Sequence, residues 1–269
     1  MSNGRLGGKI AIVSGACRGM GRAQCLAMAK EGADIVACDV CKNNPVIKYD
    51  MGTKKELDKT VEDVKALGRK AIGVVVDVTK DDQVKSLTGR AIEEFEKIDI
   101  LVNTAGIGEL IPALEITEEQ WDNMLNVNLK GIWLMCKYTI PHMVKQNKGK
   151  IINISSTAGI RPYVGQLHYV AAKFGVIGIT KVLALEFAKH KINVNAICPG
   201  PTDTPLLNKL GVYIGAKKED VVKMFESELH LGLQSPEEIA NAVIYLASEE
   251  SDYVTGFSLF VDSGLMLYR

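Results

Sequence analysis

Short apolar runs rich in isoleucine and valine alternate with longer amphipathic stretches along nearly the whole chain. Seven runs, Lys9–Ser14, Asp34–Asp39, Lys70–Val76, Asp99–Asn103, Lys150–Ile154, Asn193–Ile197 and Ser258–Val261, predict β-strands. Between them the spacing predicts helices over Gly19–Glu31, Lys54–Leu67, Asp81–Phe95, Glu118–Lys145, His168–Lys189 and Pro236–Ala247. Strands that are apolar throughout must be covered on both faces, which is the property of a parallel sheet. With right-handed crossovers, this alternation gives one Rossmann-type, doubly wound α/β domain over residues 1–269. Its sheet has seven parallel strands flanked by helices on both faces. No repeat, low-complexity tract or linker divides it.

Two segments interrupt the alternation. Cys41 to Thr53 adds a polar, proline-containing stretch directly after the second strand. Residues 202–235 lie between the sixth strand and the last helix. Excursions of that length usually carry function, and this one is expected to be a substrate loop.

Composition narrows the function classes. The 269 residues are 47% hydrophobic, enough for a core on each side of a sheet, and 32 basic residues balance 32 acidic ones. Neither nucleic acid nor an anionic membrane is an expected partner of such a chain. The polar, glycine-rich start and the lack of a long apolar run predict neither signal peptide nor membrane span. Six scattered cysteines read as small buried hydrophobes of a cytoplasmic protein. Cys38 and Cys41 form a lone CxxC, and without a second pair no metal site is expected.

The first strand runs into Ser14-Gly15-Ala16-Cys17-Arg18-Gly19-Met20-Gly21 and then a helix. A glycine-rich turn between strand and helix lets backbone approach a pyrophosphate at the positive end of the helix. The spacing GxxxGxG differs from the commoner GxGxxG. Asp39 ends the second strand, where a carboxylate can accept hydrogen bonds from ribose hydroxyls and repel a 2′-phosphate. It favours NAD over NADP as cofactor. Arg18, a cation in the turn, argues mildly the other way, so NADP stays open.

Tyr169 and Lys173 stand four residues apart on a predicted helix and so share a face. A phenol with a pKa near 10 needs about 4 kcal/mol of help to act as acid or base near neutrality. A fixed ammonium together with the charge of an oxidised nicotinamide is of the right kind to supply it. Ser155 and Ser156 end the fifth strand, and Asn103-Thr104-Ala105-Gly106 ends the fourth, on the sheet edge where such folds bind ligands. His168 beside Tyr169 invites a serine hydrolase reading, but no GxSxG elbow supports it. His142, His190 and His230 stand alone, and no HExxH is present.

These motifs, in this order, resemble the short-chain dehydrogenase/reductase family over essentially the whole length. The resemblance places the family's glycine pattern on Gly15, Gly19 and Gly21, flanked by Arg18 and Met20. It places its strand-end motif on Asn103, Ala105 and Gly106, and its adenine contact on Asp77 with Val78. Pro199, Gly200, Thr202 and Thr204 match the segment that holds the nicotinamide carboxamide. The catalytic set falls on Asn128, Ser156, Tyr169 and Lys173, with Ser156 chosen over Ser155 by its thirteen-residue distance from Tyr169. The implied roles are substrate-oxygen binding by Ser156, proton exchange by Tyr169, and ribose binding with tuning of Tyr169 by Lys173. Asn128 would support a proton route.

Ile107, Ile160, Tyr163, Gln166, Leu206, Leu207, Leu210, Tyr213 and Met224 are expected around the substrate, a mostly apolar set suited to a cyclic secondary alcohol or ketone. No arginine cluster suits a strongly anionic substrate, although Arg161 could meet a carboxylate. The stretch after Asp39 resembles that of relatives acting on terpenoid alcohols such as carveol, some of which retain their NAD. Hydroxysteroids are the other leading class. The alternatives are a 3-oxoacyl-[acyl-carrier-protein] reductase and, outside enzymes, a non-catalytic nucleotide-binding regulator. Apolar residues such as Trp121, Trp133, Met135, Ile177, Ile179, Leu183 and Phe187 exceed what one sheet-facing stripe needs. The resemblance implies a homodimer through paired helices, or a homotetramer using the C-terminal strand.

Overall fold

Alternation within each apolar strand sends successive side chains to opposite faces, and in the central strands both faces are buried. In β1 (Ile10–Ser14), Ala11 and Val13 enter one core and Ile12 the other. β2 (Asp34–Asp39) divides in the same way, with Ile35 and Ala37 on one side and Val36 and Cys38 on the other. The computed structural model describes residues 4–223, Leu229 and 231–267. Met224 and His230 lie outside the described residues.

The remaining strands are β3 (Ala71–Val75), β4 (Ile100–Asn103), β5 (Gly149–Ile154), β6 (Ile192–Pro199) and β7 (Ser258–Val261). They form one parallel sheet in the order β3-β2-β1-β4-β5-β6-β7. The order reverses between β1 and β4, so a crevice opens beyond their carboxyl ends. The helices are α1 (Gly19–Lys30), α2 (Lys54–Ala66), α3 (Asp81–Phe95), α4 (Glu118–Leu125), α5 (Gly131–Gln146), α6 (Leu167–Phe187), α7 (Pro205–Leu210), α8 (Lys218–Lys223) and α9 (Pro236–Ala247). One core joins β1 and its neighbours to α1, α2 and α9 through Met28, Leu57, Ile239 and Val243. The other joins them to α3, α5 and α6 through Leu87, Leu134, Met143 and Val176.

Three expectations are corrected. The single helix expected over 118–145 is α4 and α5 joined by one wide π turn, Asn126–Lys130. Such a turn holds one extra residue and recurs at functional sites. Here it carries Asn128, fully buried, toward the strand ends. The sixth strand extends to Pro199, past the expected end at Ile197. Residues 202–235 are no bare loop, since α7 and α8 lie within them. Among the described residues no helix is long and apolar enough to cross a membrane.

Candidate active site

Two adjoining cavities lie over the carboxyl ends of the strands. The glycine turn forms one wall of the first, with Gly15, Arg18, Gly19, Met20 and Gly21 lining it. Gly15 takes a positive φ of 71°, and a Cβ on Gly21 would stand 2.1 Å from the Gly15 carbonyl oxygen. Asp39, Asp77 and Val78 line the far end, and Ala105 and Gly106 the floor. The Asp39 carboxylate is held by backbone N–H groups of Cys17 (3.1 Å) and Cys41 (3.4 Å). Asp77 accepts from the Thr79 backbone and hydroxyl at 2.9 and 2.7 Å.

The stretch after β2 closes over this cavity, where Asn43, Asn44, Tyr49, Met51 and Gly52 join the lining. Its path is fixed from several directions. Arg18 donates to the Asp50 carbonyl, Asn44 donates to Asn123 (2.8 Å), and the Tyr49 oxygen accepts from Gly108 N–H (3.1 Å). Arg18 therefore spends one of its donors on the strap. The sequence marks this segment as a polar, proline-containing break in the alternation, yet none of its residues was expected in the site, because nothing periodic encodes the path.

Lys173 lines the first cavity only, and Ser156 the second only. Tyr169 lines both, with Met20, Ser155, Thr204 and Leu206. The Lys173 ammonium donates to the Ile154 carbonyl at 2.9 Å and lies 5.5 Å from the centre of the Tyr169 ring. The Ser156 oxygen accepts from Ala158 N–H at 3.1 Å and hydrogen-bonds the Tyr169 phenol. Burial pushes the phenol up to about 12, which the Ser156 bond offsets only in part. Burial likewise pulls Lys173 down to about 8. Desolvation thus outweighs any downward pull of the ammonium on the phenol in this arrangement. Ser155 donates to the Lys173 carbonyl (3.0 Å) and ties the end of β5 to α6.

Asn128 bridges the loop after β4, accepting from Ile107 N–H and donating to the Ile107 carbonyl, both at 3.0 Å. Its oxygen would lie 2.7 Å from a Cβ at residue 106, which accounts for the glycine there. Ser14, unremarked in the sequence, accepts from Thr104 and Ala105 N–H (3.0 and 3.1 Å) and sets the same loop. Asn103 lines neither cavity. It is buried and donates to Asn153 at 2.8 Å, which positions β4 against β5.

The second cavity is lined by Tyr163, Gln166, Pro199, Gly200, Thr202, Leu207 and Leu210. Ile107 belongs to the first cavity. Two residues expected at the substrate lie elsewhere: Ile160 is 41% exposed, and Tyr213 accepts from Lys48 N–H of the strap (3.0 Å). Neither lines these two cavities: the chain turns Ile160 outward after β5, and Tyr213 packs beside them against Tyr49 and Ile107. Arg161 packs over the Tyr163 ring at 5.9 Å. His168 is fully buried, with Nε2 3.4 Å from the equally buried Glu109 carboxylate. No feature of the sequence announces that pair.

The glycine cradle with no room for a side chain, a carboxylate at its far end and a buried ammonium at its near end fit a dinucleotide. Comparisons agree. The family model for short chain dehydrogenases matches residues 9–212. The chain is 39% identical over 264 residues to a 3-oxoacyl-[acyl-carrier-protein] reductase of Thermotoga maritima, covering 98% of this chain and 100% of that protein. It is 35% identical to the (-)-trans-carveol dehydrogenase of Rhodococcus erythropolis, covering 98% and 99%. A solved carveol dehydrogenase from Mycobacterium avium, in complex with NAD, superposes with a TM-score of 0.94 at 35% identity, covering 98% and 100%. The chain belongs to the short-chain dehydrogenase family and is an oxidoreductase of that family.

Proposed function

We propose that the protein uses NAD to interconvert a hydrophobic, cyclic secondary alcohol and its ketone, of the terpenoid-alcohol or hydroxysteroid type. One observation carries the reading: Tyr169 lines both cavities, with Lys173 on one side and Ser156 on the other. Bound NAD supplies the hydride exchange. The chain's own residues handle oxygen and proton. Ser156 holds the substrate oxygen, and Tyr169 takes the proton in oxidation and returns it in reduction. Lys173, with its ammonium already fixed to Ile154, holds the ribose hydroxyls, and Asn128 fixes the loop beneath them. Leu206, Leu207 and Leu210 give the substrate side its apolar character, and Tyr163 and Gln166 give it direction.

The Asp39 carboxylate supports NAD over NADP by repelling a 2′-phosphate, and Arg18 is already engaged by Asp50. A 3-oxoacyl-[acyl-carrier-protein] reductase is the second reading, favoured by the 39% identity to the Thermotoga protein. The arrangement of Ser156, Tyr169 and Lys173 counts against a purely regulatory nucleotide-binding role. The test follows the near-ultraviolet absorbance of reduced nicotinamide with NAD+ and NADP+ separately, across terpenoid, steroid and 3-hydroxyacyl alcohols. The expected result is turnover of a cyclic alcohol with NAD+ preferred roughly 30-fold, equivalent to about 2 kcal/mol. Activity confined to 3-oxoacyl thioesters would establish the second reading. Nucleotide binding without turnover on any substrate would sink both.

The assembly we propose is a homodimer through α5 and α6, or a homotetramer that also uses β7. α5 and α6 leave Trp133, Phe174, Val182 and Leu185 exposed, Leu185 by 83%, on helices apolar beyond their sheet-facing stripe. β7 is an edge of the sheet with Phe260 partly exposed. Light scattering at micromolar concentration is expected to give two or four times the chain mass of 29.3 kDa. A monomer would refute it.

A further inference from the structure

The sequence pairs Cys38 with Cys41, but strand alternation separates them. Cys38 points into the core shared with Ile12, Val36 and Val74. Cys41 lies past the end of β2 with its backbone in the left-handed region (φ 49°). Its sulfur stands 3.6 Å from that of Cys17, in the glycine turn. Between the two lies Asp39, each carboxylate oxygen held by the N–H of one of the cysteines (3.1 and 3.4 Å). One donor atom from each of the three falls within 4.8 Å of the others.

That spacing is the edge of a tetrahedral soft-metal site. Two thiolates each about 2.3 Å from a tetrahedral ion stand about 3.8 Å apart. The observed separation differs by a few tenths of an ångström. We propose that Cys17, Asp39 and Cys41 bind a thiophilic divalent cation such as Zn2+, and that metal and dinucleotide exclude one another at Asp39. The exclusion rests on the reading that Asp39 receives ribose hydroxyls; the metal site does not.

Loading is an acid–base exchange with no change of oxidation state. The cation forms a bond to each sulfur and one to a carboxylate oxygen. Each thiol releases its proton to solvent, and water takes the fourth position. The Cys17 thiol now donates to the Thr53 carbonyl at 3.3 Å, so loading breaks that bond and loosens the strap where it rejoins α2. Cys17 is buried, whereas Cys41 and Asp39 are partly accessible, which gives the cation its way in. A metal-bound carboxylate oxygen has less capacity left for ribose hydroxyls, and the cation fills the adjoining space. Binding of either ligand therefore weakens the other by the same factor.

The test uses the full chain, reduced with a non-chelating phosphine and titrated with Co2+ as a spectroscopic substitute for Zn2+. The expected result is a saturable thiolate-to-cobalt charge-transfer band with the intense visible bands of four-coordinate cobalt, at one ion per chain. Two protons leave per ion, and Zn2+ bleaches the bands. C41S loses them while keeping its metal-free turnover, and C17S loses them too should C41S fold poorly. NAD+ is expected to raise the apparent dissociation constant for Co2+. Bands that persist in both variants, or that never form with about a hundredfold excess of Co2+, would overturn the site. Bands lost in the variants yet indifferent to NAD+ would leave the metal site standing and overturn the exclusion.

Discussion

Tyr169→Phe is expected to lower kcat by about 10²–10⁴-fold, the usual worth of a positioned general acid or base. The affinity for NAD+ should change little. The effect follows from where the hydroxyl is. It lies where the two cavities meet and is hydrogen-bonded by Ser156, so the substitution removes a proton carrier and little volume. Ser156 loses one partner but still accepts from Ala158, which limits the cost in stability to about 1 kcal/mol. Burial holds the phenol at about 12, well above neutrality, before any cationic nicotinamide charge acts on it. Alcohol oxidation by the native enzyme should therefore rise with pH as the phenol is deprotonated. The variant's residual rate should lack that rise. Steady-state kinetics across pH, with nucleotide binding followed by fluorescence, separate the two effects. Unchanged turnover would remove Tyr169 from the chemistry.

Gly21→Ala is expected to abolish measurable NAD+ binding. The new Cβ would lie 2.1 Å from the Gly15 carbonyl oxygen and 2.7 Å from its carbon, contacts with backbone that no rotamer can relieve. Either the turn opens or α1 shifts along its axis, and both misplace the N–H groups expected to meet the pyrophosphate. Overpacking of this kind costs about 1–3 kcal/mol or more, visible as a lower Tm. Gly89→Ala in α3 serves as the opposite case. Its Cβ meets nothing within 4 Å, and helix propensity favours alanine by roughly 0.5–1 kcal/mol. Calorimetry on both variants with and without NAD+ is the measurement. Tight NAD+ binding by Gly21→Ala would show that the turn does not cradle the dinucleotide.

The strands were legible because each is a short apolar run, and the central ones are buried on both faces, a pattern that survives without any knowledge of neighbours. Candidate residues tied to strand ends and to one helical turn were legible for the same reason: Asp39, Tyr169 and Lys173 fall at positions that local periodicity defines, whereas the choice of Ser156 over Ser155 came from the family resemblance. The break at Asn126–Lys130 was not. A wide turn has no composition of its own here, and its cause is a tertiary contact between Asn128 and the Ile107 backbone. The strap was equally hidden, since partners as distant as Tyr213 and Asn123 direct it. The neighbour of Cys41 was hidden for a like reason, since β2 turns Cys38 into the core and leaves Cys41 beside a residue 24 positions earlier.

The reversal of strand order has a consequence for how the molecule comes into being. Ala11 is aligned with Ile100, 89 residues further along, so the middle of the sheet closes over a long stretch of chain. Contacts of such separation form late and slow the search for the native state. A chain emerging from the ribosome would carry β1 with one edge of backbone N–H and C=O groups unpaired until β4 has appeared. The crevice between them is among the last features to exist, so a nucleotide has nothing to grip in the unfolded ensemble. It would leave early collapse untouched and act by mass action on the finished state alone.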